Sequence, residues 1–417
     1  MFDANVLFLF FSLVFLIAFF GNLFFKKTRF SDISILLIIG FLLSNVLNIV
    51  TENQITVLKT MAPFFGSLAL IIIVFEGGLH LNFYKVVKEI GKATLFTTIV
   101  FIITVLLSST LLLLVFNIPF LYGLLIGSAI GGVSSAVIIP LILKSKSKEE
   151  TKTLLTLESA ITDSLCIIIF IIIFEIIVYQ KSNIQFAFQN LLSAYAIATV
   201  IGIIAGIFWI KVLRDFNVIK EYNYLLTLSF LFLVYLLIEY AKGNGTFGVL
   251  VFGLVLGNSN DILKIFKMKV LSIENVVSLR QVYKFQSEIT LFIKAFFFIY
   301  LGLILDLSAV DFNVILIVVA LLLIVIISRA LSVYIFSKDK IISKDKNYLL
   351  ALHARGLAAA VLATYAISNN LVNEYTLIIL PIVFLIIFLT NISTTIMFFF
   401  TDKQRIKEIE SKNVVFK

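Results

Sequence analysis

Two carboxylates stand inside a run of apolar residues, in Leu157-Glu158-Ser159-Ala160-Ile161-Thr162-Asp163-Ser164. At helical spacing Ser159 and Asp163 share one face, and Glu158 and Thr162 share the adjoining face. Two carboxylates and two hydroxyls therefore gather within two turns. Such oxygen donors suit hard monovalent cations such as sodium. A carboxylate also binds a proton, so proton and cation can compete for one group. An ionisable residue among apolar neighbours is costly to bury and marks an ion or proton pathway. Asp163 is the first choice for that role.

Other residues share this character. Glu76, Glu175, Glu239 and Glu288 lie inside or at the ends of apolar runs, as do Lys294, Arg329 and Arg355. Glu175, Glu239 and Glu288 sit near run ends, where an ion pair or a snorkelling side chain accounts for them. A second oddity is Gly127-Ser128-Ala129-Ile130-Gly131-Gly132-Val133-Ser134-Ser135-Ala136, followed by Pro140. Glycine and serine clustered mid-run favour an interrupted helix. Unwound backbone at membrane depth is tolerated only beside a protein-lined cavity, where its carbonyls can meet a cation. Close helix packing through small residues is the competing explanation. His353-Ala354-Arg355-Gly356-Leu357-Ala358-Ala359-Ala360 is also rich in small residues.

The elements that must position these groups are membrane helices. Of the 417 residues, 61% are hydrophobic and only 14% are charged. A soluble domain of this length carries about a quarter charged residues. The excess of Phe, Ile and Leu must face lipid. A spanning helix needs roughly 20 apolar residues. Thirteen runs qualify, near 5–25, 31–50, 60–79, 93–116, 119–143, 154–179, 190–210, 222–241, 245–258, 286–306, 312–336, 347–368 and 375–400. The ninth is short. The runs are continuous, whereas the strands of a barrel would alternate.

The loops set the orientation. Of the 33 basic residues, 27 follow the odd-numbered spans or lie in the tail. The opposite side holds only Lys59, Lys181 and Lys242. The positive-inside rule then places the N-terminus outside and the C-terminus in the cytoplasm of a multi-pass protein of the cell membrane. The net charge of +9 reflects those loops, and no nucleic-acid partner is expected. The first run lacks a basic leader and a cleavage site and reads as a retained helix. The longest polar loop is about a dozen residues, which leaves no room for an appended nucleotide-binding domain. Cys166 is the single cysteine, so neither a disulfide within the chain nor a cysteine metal site is expected. Spans five and twelve are seven apart and run in opposite directions, the signature of an inverted repeat.

In these residues the chain resembles the NhaP-type sodium/proton exchangers of the monovalent cation:proton antiporter superfamily. Phe75-Glu76-Gly77-Gly78-Leu79 is similar to their FEGGL. Glu158-Ser159-Ala160-Ile161-Thr162-Asp163 is similar to ES-x-x-ND. Ser328-Arg329-Ala330-Leu331-Ser332-Val333 is similar to ARxLxV, and Arg355-Gly356-Leu357 to the RG element. Four motifs in order on the right spans make a specific match over nearly the whole chain. The resemblance implies an all-α fold of about thirteen spans with inverted repeats and broken crossing helices. Spans four to six (93–180) and eleven to thirteen (311–400) would form a core. Residues 1–92 and 181–310 would form a scaffold that makes a homodimer, with 401–417 a cytoplasmic tail.

The resemblance also implies roles. Asp163 would bind proton and cation in turn, with Ser159 as a cation ligand. Glu158 would pair with Arg329, and Glu76 would lie near the ion pathway. Two departures bear on selectivity. Thr162 replaces the family Asn, and Ser134-Ser135 stands where Thr-Asp is common, which is closer to the glutathione-gated potassium-efflux branch. Thr162, Ser134 and Ser135 join the candidate cation and proton site. Arg355 and Lys294 are further candidates without assigned roles; Glu288 is a possible partner for Lys294.

The expected activity is exchange of sodium or lithium for protons, one for one and electroneutral, with no cofactor. A potassium/proton antiporter is the main alternative. An ion channel is a distant one, because no carbonyl filter motif is present. An intramembrane aspartyl protease would need a GxGD motif, which is absent, so the chain does not read as an enzyme.

Overall fold

The computed structural model describes residues 12, 14–17, 19–20, 32–47, 52–179, 184–215, 223–265, 273–304, 310–368, 375 and 378–415. Most of the first span lies outside these residues, as do Lys26, Lys27, Arg29, Lys181, Lys220, Lys267 and Lys269. So does the side chain of Glu175.

Helices dominate the described residues, and none of these is in a strand. They are α1 (Asp32–Phe41, continued by a π turn over Leu42–Val46), α2 (Glu52–His80), α3 (Phe83–Phe116), α4 (Phe120–Ile130), α5 (Ser135–Lys144) and α6 (Glu149–Tyr179). There follow α7 (Ile184–Asp215), α8 (Asn223–Tyr240), α9 (Gly245–Gly257), α10 (Ser259–Ile265), α11 (Ile273–Leu303) and α12 (Phe312–Ile335). The chain ends with α13 (Lys340–Lys344), α14 (Lys346–Ala351), α15 (Leu357–Ser368) and α16 (Ile379–Val415). A helix or a broken pair covers each expected span from two to thirteen. Among the described residues, eight stretches are long and apolar enough to cross a membrane.

Local chemistry sets the ends. Asn82 caps α3 by accepting the N–H of Lys85 (3.1 Å). Asn117 ends it in the left-handed region (φ 53°), which Asn tolerates, and Pro119 follows. Asn244 and Asp311 cap α9 and α12 in the same way. A polar side chain there satisfies amides that lipid cannot.

Two sets of closely packed neighbours stand out, and α2 joins them by packing on α5 and α15. In one, α9 lies against α2 and α7, and α1 lies against α11. Glycines permit the closeness: a Cβ at Gly78 or Gly257 would strike the backbone carbonyls of Leu250 or Leu79. In the other, α3 packs on α4, α6 and α12, and α16 packs on α12, α14 and α15.

Two details sharpen the expectations. Run 347–368 is divided into α14 and α15, parted at Leu352–Gly356. Past residue 400, α16 carries on to Val415 and buries Asp402.

Candidate ion site at the crossing of two broken helices

Span five breaks at Gly131–Ser134, between α4 and α5. Gly131 lies against the ring of Phe101, and a Cβ at Gly132 would come within 2.5 Å of the Cys166 sulfur. Pro140 removes a further amide donor from α5. The linker of span twelve, Leu352–Gly356, crosses this one. Ser134 N–H donates to Ala354 O (2.9 Å). The Arg355 guanidinium donates to Gly132 O (2.5 Å). A Cβ at Gly356 would collide with the Ser134 hydroxyl, so only glycine lets the linkers touch.

Unwound backbone needs partners, and α16 supplies them. Thr390 Oγ1 accepts from Arg355 N–H (3.0 Å) and Thr394 Oγ1 from His353 N–H (3.3 Å). Asn391 donates to Arg355 O (2.8 Å). These three residues were missed by the sequence reading. Their signal was available as polar side chains at helical spacing in an apolar run, Leu389-Thr390-Asn391-Ile392-Ser393-Thr394.

Helix α6 passes beside the crossing and brings Asp163 to the first residue of α5. Asp163 is 2% exposed. Its carboxylate accepts the Ser135 hydroxyl (2.7 Å). Among the described residues no cation pairs with it. The N-terminal end of α5 offers it a favourable dipole, and Arg355 does the converse at the C-terminal end of α4. Thr162 does not bond Asp163. Its hydroxyl accepts the Val133 N–H (3.0 Å) and reaches the carbonyls of Val133 (3.2 Å) and Ser159 (3.1 Å). The Thr in place of Asn therefore ties α6 to the linker. Ser159 is buried one turn before Asp163 and donates to Thr156 O (3.0 Å). Ser134 is buried, and its hydroxyl has no partner among the described residues.

Glu158 faces elsewhere. It forms a bidentate ion pair with Arg329, with Nη2 at 3.0 Å from Oε2 and Nη1 bonded to Oε1. Both side chains are at most 2% exposed. Arg329 also donates to Leu349 O (2.6 Å) and lies over the ring of Phe96 (5.2 Å). One arginine thus joins α3, α6, α12 and α14.

Two cavities flank this layer. One, of about 630 Å³, is lined by Glu76, Lys144, Lys152, Ser287, Glu288 and Lys294, among others. The Ser287 hydroxyl donates to Glu76 (2.8 Å). The other, of about 300 Å³, includes Ser67, Ile167, Tyr235, Glu239 and Val361. On α6, Asp163 falls between Lys152 and Ile167, about 16 Å from one and 6 Å from the other along the axis. Glu76 and Lys294 belong to the first cavity and are not brought against Asp163. Among the described residues no three His, Cys, Asp or Glu side chains gather as a metal cluster.

The chain resembles known proteins over most of its length. The family model described as sodium/hydrogen exchanger, transmembrane, matches residues 14–401. A probable Na(+)/H(+) antiporter 2 from Methanocaldococcus jannaschii is 24% identical over 288 residues, 66% of this chain and 64% of that protein. The chain thus spans just under two thirds of that relative's length. Na(+)/H(+) antiporter 1 of the same organism is 24% identical over 81% of this chain and 78% of its own. The solved structure of the sodium proton antiporter MjNhaP1, also from that organism, at pH 8 superposes with a TM-score of 0.73 at 22% identity, covering 94% of this chain and all of the other. An electron-microscopy structure of the same antiporter gives 0.76 at 21% identity, with 95% of each chain covered.

Proposed function

Because this chain belongs to the transmembrane sodium/hydrogen exchanger family, we propose that it exchanges sodium or lithium for protons by alternating access, with both ions competing for Asp163. The observation that carries this reading is a buried carboxylate, paired with no cation among the described residues, at the crossing of two broken helices and between two cavities. A carboxylate without a partner costs several kcal/mol to bury. A proton or a cation removes that cost, and the two cannot do so at once.

The cation's partners would be Asp163, Ser159 and the hydroxyls of Ser134 and Ser135. Thr162 and Arg355 hold the crossing in place. Glu158 and Arg329 brace α6 against α12. Glu76 and Lys294 face the ion while it is still in the larger cavity. One titrating carboxylate makes the exchange one for one and electroneutral. Spans four to six and eleven to thirteen would move as a core against the remaining spans. The scaffold would pair two copies, the C-terminus lying in the cytoplasm of the cell membrane. A particle mass near twice 46.9 kDa in detergent is the expected sign of that homodimer; a single-chain mass would remove it.

Purified protein in proteoliposomes with an acid lumen and a pH-sensitive dye tests the activity. Added sodium is expected to dequench the dye. A response to potassium alone would establish the second reading, potassium/proton exchange, which the Ser134-Ser135 pair in place of Thr-Asp favours. A steady current without dye response would make the protein a channel.

A further inference from the structure

The smaller cavity holds a group that the exchange cycle above does not use. Glu239, near the end of α8, is the only charged residue that lines it among the described residues. Its Oε1 accepts the N–H of Gly245 (2.7 Å), the first residue of α9. Its side chain is exposed, and Oε2 makes no hydrogen bond among the described residues. Lys242, in the intervening turn, makes no ion pair with it.

The two cavities differ in charge. The larger one mixes Glu76, Glu149 and Glu288 with Lys144, Lys152 and Lys294, so the fixed charges of its described residues balance. Among the described residues, the smaller one carries a single negative charge and no cation. Its walls include residues that neighbour the site on two helices. Ile167 lies one helical turn beyond Asp163 on α6, and Ala358 and Val361 follow the span-twelve linker on α15. An ion leaving Asp163 toward this face, or arriving from it, passes within the field of Glu239. A charged cleft with low-dielectric walls concentrates counter-ions.

We propose that Glu239 is a cation-capture site for the cavity opposite the lysine-lined one. It attracts a small monovalent cation that keeps its water shell, before that ion reaches Asp163. The site gives one face of the exchanger a higher apparent cation affinity than it would have without the charge. This rests on the exchange reading above.

The competing role is structural, because the same carboxylate caps α9. Glu239→Gln separates the two. The amide oxygen still accepts from Gly245, while the charge is gone. Exchange would be measured in right-side-out and in inverted vesicles from a host without its own exchangers, with sodium varied on the outer surface of each. The expected result is a half-saturating sodium concentration raised about tenfold, the lower end of cleft focusing, on the face bearing Glu239. The other face should be unchanged, and Glu239→Asp should restore the affinity. An unchanged value on both faces, or an equal shift on both, overturns the capture site. In either case wild-type exchange would leave the antiporter reading standing. If the wild type exchanges no cation for protons, both readings fall.

Discussion

Glu158 and Asp163 are five residues apart on one helix, yet their surroundings separate their tasks. Glu158 is locked by both arms of Arg329, whereas Asp163 is held by Ser135 and, among the described residues, by no cation. Asp163→Asn keeps the shape and an acceptor for Ser135 but removes the charge. It should abolish sodium-driven dequenching while leaving the melting temperature within a few degrees of wild type; exchange by the mutant would remove Asp163 from the mechanism. Arg329→Ala strands a buried carboxylate and should cost about 3–5 kcal/mol, read as a lower melting temperature in detergent. Equal melting of mutant and wild type would show that the pair is not a brace. Replacing both partners with apolar residues should be milder than replacing either one, because the loss lies in the charge left behind.

At the scale of elements, the crossing depends on two linkers fitting where no side chain has room. Gly356 faces the Ser134 hydroxyl so closely that a methyl cannot be added without moving one linker. Gly356→Ala should lower the exchange rate and cost about 1–3 kcal/mol through overpacking. Ser134→Gly in the same chain removes the atoms struck and should recover part of the stability. If the double mutant melts no higher than Gly356→Ala alone, the linkers do not meet as described. The same logic divides the FEGGL motif among three neighbours. Glu76 lines the larger cavity. Gly77 faces Ile139 and Thr156, while Gly78 faces the backbone of α9.

For the whole molecule, the proposed exchange at one titrating carboxylate would set both stoichiometry and pH response. A one-for-one exchange moves no net charge, so clamping the membrane potential at zero or at 100 mV should leave the rate unchanged; a potential-dependent rate would require unequal ion counts. The proposed competition would also fix the effect of acid. Once most of the carboxylate is protonated, each further pH unit removes about nine tenths of the cation-ready form, so the half-saturating sodium concentration should rise about tenfold per unit. A half-saturation independent of pH would mean that proton and cation use separate groups.

The class, the spans and the suspect carboxylate were legible in the sequence for one reason: lipid punishes charge and rewards long apolar runs. Asp163, Glu158 and Arg329 stood out because nothing in their surroundings dissolves them. Gly131-Gly132 and Gly356 marked places where a helix can open, but a helix packed tightly on small residues reads the same way. Tertiary structure decided between the two by laying one linker across the other, with Ser134 N–H on Ala354 O. It also decided which hydroxyl meets Asp163. Helical spacing favoured Ser159, on the same helix, and the bond comes instead from Ser135 on another. Periodicity reports which residues share a face of one helix. It is silent on what a second helix, 28 residues away in sequence, brings to that face. For the same reason Thr390, Asn391 and Thr394 gained their role as partners of unwound backbone only when α16 was placed beside the break.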